Sequence, residues 1–185
     1  MIAAIEGDVY KKEPTKLYLK CSGIVYEINI SLNSSSAIDT KSVFLYTKEI
    51  IRDDCRELYG FVDRGEKELF EKLIKISGVG AKTALAILST FSPSQFIDTL
   101  AQSDQKALQK VPGIGAKSAG RILVELQGYE ATFAAMNSTP SKYAEAEGAL
   151  INLGFKKDDI TKLLKDIDAT DTASIIKEAL KRIKR

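Results

Sequence analysis

One short motif occurs twice in this chain, 35 residues apart, and its residue types are suited to binding an anion. Between residues 76–88 and 111–123, seven of the thirteen aligned positions are identical. Each copy has two glycines one residue apart, then Ala, Lys and a hydroxyl residue. Glycine permits positive φ and a close approach to the backbone, and the first N–H groups of the following helix point at the anion. The candidate contacts are Gly78, Val79, Gly80, Lys82 and Thr83 in the first copy and Gly113, Ile114, Gly115, Lys117 and Ser118 in the second, with Arg121 one turn after Lys117.

Residues that the motif lacks argue against two kinds of nucleotide as the anion. A mononucleotide P-loop has glycine immediately before its lysine, where this chain has Ala81 and Ala116. A dinucleotide-binding turn needs a third glycine, where Thr83 and Ser118 stand. The pattern instead resembles the helix-hairpin-helix, a module whose amides and lysine bind a nucleic-acid backbone. The alternative is an ordinary glycine turn between helices, which two matching copies disfavour. Backbone contacts carry no base information, so we expect binding that is independent of DNA sequence.

The hydrophobic periodicity of the sequence, which predicts the elements that position these turns, changes along the chain. Residues 1–63 alternate polar and apolar residues over five short stretches, which predicts a five-stranded barrel. Residues 64–128 have helical periodicity and contain both turns, and residues 129–141 are typical of a flexible linker. Residues 142–185 predict three short amphipathic helices. The expected fold class is therefore α+β with several domains.

Composition restricts the chemistry that the chain can perform. There is no histidine and there are only two cysteines, so we expect no catalytic triad, no metal site and no cofactor. No apolar run is long enough to span a membrane and no signal peptide is recognisable, so we expect a cytoplasmic protein with no membrane contact. The net charge is only +2, so affinity for nucleic acid has to come from placed amides, a few cations and multiplied sites.

The last 44 residues form a domain with a small core behind a linker, which favours docking onto a partner over a purely stabilising role. The basic residues 181–185 are interpreted as cations that stabilise a helix C-terminus. The predicted partner contacts in this domain are apolar: Leu150, Leu153, Phe155, Ile160 and Leu164.

The whole chain resembles the RuvA family of Holliday-junction-binding subunits. The resemblance rests on the Met-Ile start, Ile51-Arg-Asp-Asp54, Leu58-Tyr-Gly-Phe61 and the two hairpins at this spacing. It implies an oligonucleotide-binding (OB) fold barrel, a tandem helix-hairpin-helix domain and a small UBA-like three-helix domain that engages RuvB. It also implies homotetramers, two of which can enclose a four-way junction as an octamer, and a junction resolvase as a further partner. Members hydrolyse nothing themselves, and ATP and Mg²⁺ are used by RuvB, the hexameric ATPase motor.

The resemblance also gives a role to Asp53 and Asp54, which correspond to an acidic pin that repels phosphates at the crossover and holds the junction open. From the residues alone they would be a solvated turn.

Two alternative functions remain open. A DNA glycosylase with this hairpin needs an Asp soon after the motif, and none occurs between Asp104 and Asp158. A generic structure-specific adaptor of a repair nuclease would bind flaps in preference to junctions. Ala116 and Gly120 depart from the usual family pattern.

Overall fold

The computed structural model describes residues 1–53, 55–129, 131, 133, 142–164, 167 and 171–183. Contacts divide the chain into two compact units, Met1–Phe133 and Ala134–Arg185. The boundary expected near residue 63 lies inside the first unit. The barrel and the hairpins are not separate there, because Tyr59 and Phe61 of the barrel share one apolar core with Phe70 of the first long helix. The linker predicted over residues 129–141 lies almost entirely outside the described residues.

A closed five-stranded barrel begins the first unit, as the alternation predicts. Its strands are β1 (Ala4–Glu13), β2 (Lys16–Cys21), β3 (Ile24–Ile30), β4 (Ser42–Ile51) and β5 (Arg56–Phe61), in the order β1-β2-β3-β5-β4. Neighbouring strands are antiparallel except β3 and β5, which pair in parallel. Inward-facing residues such as Leu17, Leu19 and Ile28 are fully buried, as expected for alternate positions of a strand.

The first strand is longer than its apolar alternation suggests. β1 continues past a register shift between Val9 and Lys11 to the charged residues Lys12 and Glu13. The Lys12 ammonium donates to the carbonyl oxygens of Ile38, at 2.6 Å, and Ser35, at 3.2 Å. The charged end of the strand is therefore tied to the connection between β3 and β4.

That connection contains a short helix, α1 (Leu32–Ala37), which the sequence did not indicate because its serines are equally typical of a turn. Ser31 caps it by accepting from Ser34 N–H. Asn33 Nδ2 donates to Leu88 O at 2.7 Å and to Phe91 O at 3.0 Å, at the C-terminal end of the first hairpin's helix. The insertion therefore joins the barrel to the hairpin region.

Five helices whose full bounds are described follow the barrel in the first unit: α2 (Arg64–Leu73), α3 (Ala81–Thr90), α4 (Pro93–Ala101), α5 (Gln105–Leu108) and α6 (Ala116–Glu125). α4 begins at a reciprocal capping box formed by Ser92 and Gln95, with Pro93 in its first turn. Asp104 caps α5 through Ala107 N–H. The first hairpin turn joins α2 to α3, and the second joins α5 to α6.

Three helices form the described part of the second unit: α7 (Lys142–Asn152), α8 (Lys157–Leu164) and α9 (Thr172–Ile183). Gly154 has φ +94°, and Phe155 N–H donates to Leu150 O at 3.2 Å, as at a glycine-terminated helix end. The core of the unit consists of Ala146, Leu150, Ile160, Ile167, Ile175 and Ala179. Within the described parts of both units, no helix is long and apolar enough to cross a membrane.

Candidate nucleic-acid interface

The two glycine motifs form the same backbone turn. Val79 N–H donates to Ile76 O at 3.0 Å, and 35 residues later Ile114 N–H donates to Val111 O at 3.1 Å. The central glycines have positive φ, +87° at Gly78 and +84° at Gly113. Glycine adopts this conformation without the steric cost that a side chain would bring. The repeated sequence therefore folds into a repeated structure.

Each turn is anchored by its apolar residue and open at its glycines. Val79 is 5% exposed and Ile114 is 6% exposed, so only the backbone of these two residues is available to a ligand. A Cβ placed on Gly78, Gly80 or Gly115 would meet nothing within 4 Å, and the same holds for Gly113. The space in front of both turns is therefore free for a ligand to approach the backbone.

The helices that follow the turns begin without a side-chain cap. Gly80 starts α3 and Gly115 starts α6, and neither position offers a side-chain acceptor. By contrast, α1, α2, α4 and α5 are capped by the side chains of Ser31, Asp63, Ser92 and Asp104, respectively.

Because these two helices have no side-chain cap, backbone N–H groups at their starts have no acceptor in the described part of the chain. The first helical bonds come from Ala84 N–H and Ala119 N–H, and among the described residues the N–H groups of 81–83 and 116–118 bond to no acceptor. Helix N-termini with free donors and a positive dipole end attract anions. Both hairpins thus present the same arrangement of open backbone donors.

The predicted lysines lie beside these open helix ends. Lys82 and Lys117 each occupy the second position of their helix and are exposed. Neither forms an ion pair with any side chain in the described part of the chain. Their charges therefore add to the positive potential in front of the turns. Thr83 and Ser118, the hydroxyl residues of the motif, are partly buried.

Arg121 lies in α6 but contacts the other hairpin. Its Nη1 donates to Ser77 O, in the first turn, at 2.9 Å. Gln105 Nε2 donates to Ala116 O at 2.9 Å and so supports the start of α6. Sequence reasoning missed Ser77 and Gln105 because each acts on a partner from another element. The available signal was the mismatch between Ser77 and Pro112 at equivalent positions of the repeat.

The loop between β4 and β5 carries the predicted pin. Arg52 N–H donates to Cys55 O at 2.8 Å, which closes a tight loop with Asp53 exposed at its end. Asp54 lies outside the described residues. Arg56 forms an ion pair with Glu49, whose carboxylate is also 3.8 Å from the amino group of Met1. The hydrogen bond from Arg56 is the main cause that lowers the pKa of Glu49. The carboxylate that Arg56 pairs with is therefore that of Glu49 in β4.

Comparison with known sequences decides the family. Residues 1–60 match the RuvA N terminal domain, residues 70–127 the SAM-like helix-hairpin-helix tandem, and residues 141–184 the RuvA C-terminal domain. A Sulfurimonas denitrificans protein named Holliday junction branch migration complex subunit RuvA is 51% identical over 98% of this chain and 97% of its own length. Proteins of the same name from Wolinella succinogenes and a Nitratiruptor species are 49% and 52% identical, each over at least 98% of both chains. The chain belongs to the RuvA family.

The predicted fold class is thereby confirmed for this RuvA-family chain: an N-terminal barrel, a central tandem of hairpins and a C-terminal helical domain. The hairpin tandem matched by the comparison includes both glycine turns and both lysines. The family match and the repeated geometry therefore concern the same residues.

The C-terminal domain of RuvA corresponds to the second unit, and here the predicted contact residues need a correction. Leu150 and Ile160 are 0% exposed and belong to the core, so they cannot contact a partner while the unit is folded. Phe155 and Leu164 are partly buried against that core. Leu153 is 60% exposed and remains available.

A surface cleft of the second unit adds Lys177, Leu180 and Lys181 to the contact residues predicted from the sequence. The cleft, of about 490 Å³, is lined by Leu153, Phe155 and Leu180 together with Lys177 and Lys181. A lining of three apolar side chains and two cations suits a partner segment that combines apolar and acidic side chains. Helical periodicity in the sequence shows which residues share one face of a helix. It does not show which of those residues another helix covers and which stay exposed.

Proposed function

We propose that this chain binds four-way DNA junctions, independently of sequence, as the non-catalytic junction-binding subunit of a branch migration complex. The observation that carries the proposal is the pair of uncapped hairpin helices, each with an exposed lysine in its first turn. Phosphate is the anion that two such sites at a fixed separation fit best, because a DNA backbone presents phosphates in series. The shared name of the relatives supports the junction as substrate, since the hairpins alone suit any duplex.

The phosphate contacts that we propose are the amides around Gly78, Gly80, Gly113 and Gly115 with the ammonium groups of Lys82 and Lys117. Contacts of this kind fix the protein on DNA without reading bases. Each lysine that neutralises a phosphate releases condensed counterions, which makes the affinity depend on salt.

A net charge of +2 supports an assembly in which several subunits share the junction. A few cations per chain give weak binding, but linked sites bind with much higher overall affinity. We propose a homotetramer that contributes two hairpins per subunit, and an octamer when a second tetramer covers the opposite face of the DNA.

Asp53, with its neighbour Asp54, is proposed to act by repulsion at the centre of the junction. A carboxylate that faces phosphates disfavours close approach of the strands and would keep the junction open. The ion pair between Arg56 and Glu49 supports this role, because it gives the guanidinium of Arg56 a carboxylate partner other than Asp53.

The second unit is proposed to recruit RuvB, the ATPase motor, which uses ATP and Mg²⁺, while this chain needs no cofactor. The cleft beside Leu153 and Phe155 is the proposed contact surface. Since branch migration acts on chromosomal DNA, we place the complex in the bacterial cytoplasm, where a junction resolvase is a further proposed partner.

The proposal is tested by competition binding of the full chain to a labelled synthetic four-way junction, with unlabelled junction, linear duplex of equal length or flap DNA as competitors. We expect the unlabelled junction to compete far better than the duplex or the flap. Sedimentation of the same complexes should give masses that correspond to one or two tetramers. Equal competition by all three DNAs would reject the junction function, and preference for flaps would favour the nuclease-adaptor alternative.

A further inference from the structure

The two hairpin turns share a backbone conformation but differ at the residue before the first glycine. Each turn has a hydrogen bond across four residues and a positive φ at its third residue, while Ser77 is not among the residues with positive φ. These features define a type II turn. In the second hairpin Pro112 presets the φ that the second position of this turn requires. Ser77 supplies no such restriction in the first hairpin.

Without proline at residue 77, the peptide between Ser77 and Gly78 can adopt a second orientation, that of a type I turn. Types I and II differ mainly in the orientation of this central peptide, which turns over by roughly half a rotation between them. Glycine at the third position is compatible with both forms. The orientation matters because the C=O and N–H of a trans peptide point in opposite directions, so a reversed peptide would redirect Gly78 N–H.

Arg121 contacts this peptide. Its Nη1 donates at 2.9 Å to Ser77 O, the carbonyl that would turn away in the alternative form. Gly78 N–H therefore points away from Arg121, and no acceptor for it is found in the described part of the chain. The residue equivalent to Arg121 in the first repeat is Ala86, so only the hairpin that lacks proline receives an arginine.

We infer that Arg121 is a positioning residue, which holds the Ser77–Gly78 peptide in the orientation that offers Gly78 N–H to a DNA phosphate. The inference rests on the proposed function, because it assigns this amide to the phosphate site. It gives Arg121 a role distinct from that of Lys82 and Lys117, which would contact phosphate through their own charges. The second hairpin achieves the same orientation through Pro112.

The experiment compares the full-length wild type with Arg121→Ala, Ser77→Pro and the double variant, by anisotropy with junction DNA over a series of salt concentrations. Arg121→Ala should weaken binding about tenfold for each subunit engaged, since hydrogen bonds to charged groups are the stronger ones. The slope of log affinity against log salt should not change, because an amide contact displaces no counterion. Ser77→Pro in the Arg121→Ala background should restore the affinity. Lys41→Ala, in the loop before β4, is the control for loss of one exposed positive charge.

Proline at residue 77 is compatible with the backbone. Ser77 N–H makes no hydrogen bond among the described residues, and Val111 precedes Pro112 in a turn with the same bonds. A direct phosphate contact by Arg121 would give the opposite result: the slope would fall by about 0.9 for each phosphate that the arginine no longer neutralises, and proline would restore nothing. That result would overturn the inference.

A measurement without DNA separates the inference from the proposed function. In ¹H–¹⁵N spectra of the free protein, the Gly78 amide signal should move in Arg121→Ala, while the Gly113 signal stays in place. In the Ser77→Pro background, by contrast, Arg121→Ala should leave the Gly78 signal where Ser77→Pro alone puts it. An unchanged Gly78 signal in Arg121→Ala would overturn the inference even if DNA binding fell. Failure of the wild type to bind any DNA would overturn the proposed function, and the amide signals would still report whether Arg121 holds the turn.

Discussion

Removal of both hairpin lysines should change the salt dependence of junction binding by an amount that the repeat predicts. Lys82→Ala with Lys117→Ala removes two exposed cations per chain, neither of which is in an ion pair with another described residue. Each phosphate contact contributes about 0.9 to the slope of log affinity against log salt, so the double change should reduce the slope by about 1.8 for each subunit in contact. For a tetramer with every subunit engaged, the reduction would be about 7.

The assay is fluorescence anisotropy with a labelled four-way junction, over a range of salt from about 50 to 200 mM. Over this fourfold range, the difference in affinity between wild type and variant should shrink by about tenfold per engaged subunit, because the lysine–phosphate contacts of the wild type weaken as salt rises. Lys20→Ala with Lys41→Ala is the matched control. It removes the same charge from exposed positions of the barrel region and should leave the slope close to that of the wild type.

Two outcomes would refute the reasoning. An unchanged slope in the hairpin variant would show that Lys82 and Lys117 do not neutralise phosphates, whatever happens to the affinity. An equal fall in the slope of the control variant would show that binding responds to total charge and not to the placed lysines. Thermal unfolding of both variants should match the wild type, since all four lysines are exposed.

Three further predictions concern other parts of the chain. Asp53→Asn with Asp54→Asn should bind junctions at least as tightly as the wild type but discriminate less against linear duplex in competition assays; sharper discrimination would contradict a repulsive pin. Burial is the main cause that raises the pKa of Glu66, so the folded protein keeps its proton at a pH where the unfolded chain has lost it. The free energy of unfolding should therefore fall as pH rises from the ordinary glutamate pKa through the raised one, and Glu66→Gln should remove this part of the dependence in denaturant titrations; an identical profile would exclude Glu66 as its source. Leu153→Asp should weaken binding of RuvB in calorimetry without unfolding the second unit, whereas Leu150→Asp should unfold it; full binding by folded Leu153→Asp would exclude this surface.

The hairpin turns could be predicted from the sequence because their determinants are local. Gly78 and Gly113 need positive φ, and the following lysine is fixed in position by the start of the helix. The contact of Arg121 with Ser77 could not be predicted in this way. It spans 44 residues and depends on how the two hairpins pack, so the periodicity of α6 placed Arg121 on the correct helix face without naming its partner.

The burial of apolar side chains in the second unit shows a second limit of sequence reasoning. The apolar period marks Leu150, Leu153 and Ile160 alike, but only packing decides that the first and last are in the core and that Leu153 is exposed. The helix α1 was missed for a different reason. Its serines have no apolar period, and its stability comes from tertiary hydrogen bonds such as those of Asn33 to the end of α3.

The rigidity of the contact between the barrel and the hairpin region determines whether the proposed acidic pin can act on DNA. Repulsion between Asp53 and phosphates can shape DNA only if the acidic loop cannot move away from them, because a loop on a loose domain would swing aside and relieve the repulsion. In this chain the joint is secured by polar contacts in the interior: Glu66 of α2 accepts hydrogen bonds from Ser31 and Ser34, and Ser34 Oγ also accepts from Val62 N–H at 3.1 Å. Buried hydrogen-bond networks of this kind are costly to break, since each separated partner would be left without one. The barrel and both hairpins accordingly form one compact unit, which would convert the attraction at the hairpins into a fixed position of the carboxylate against the strands.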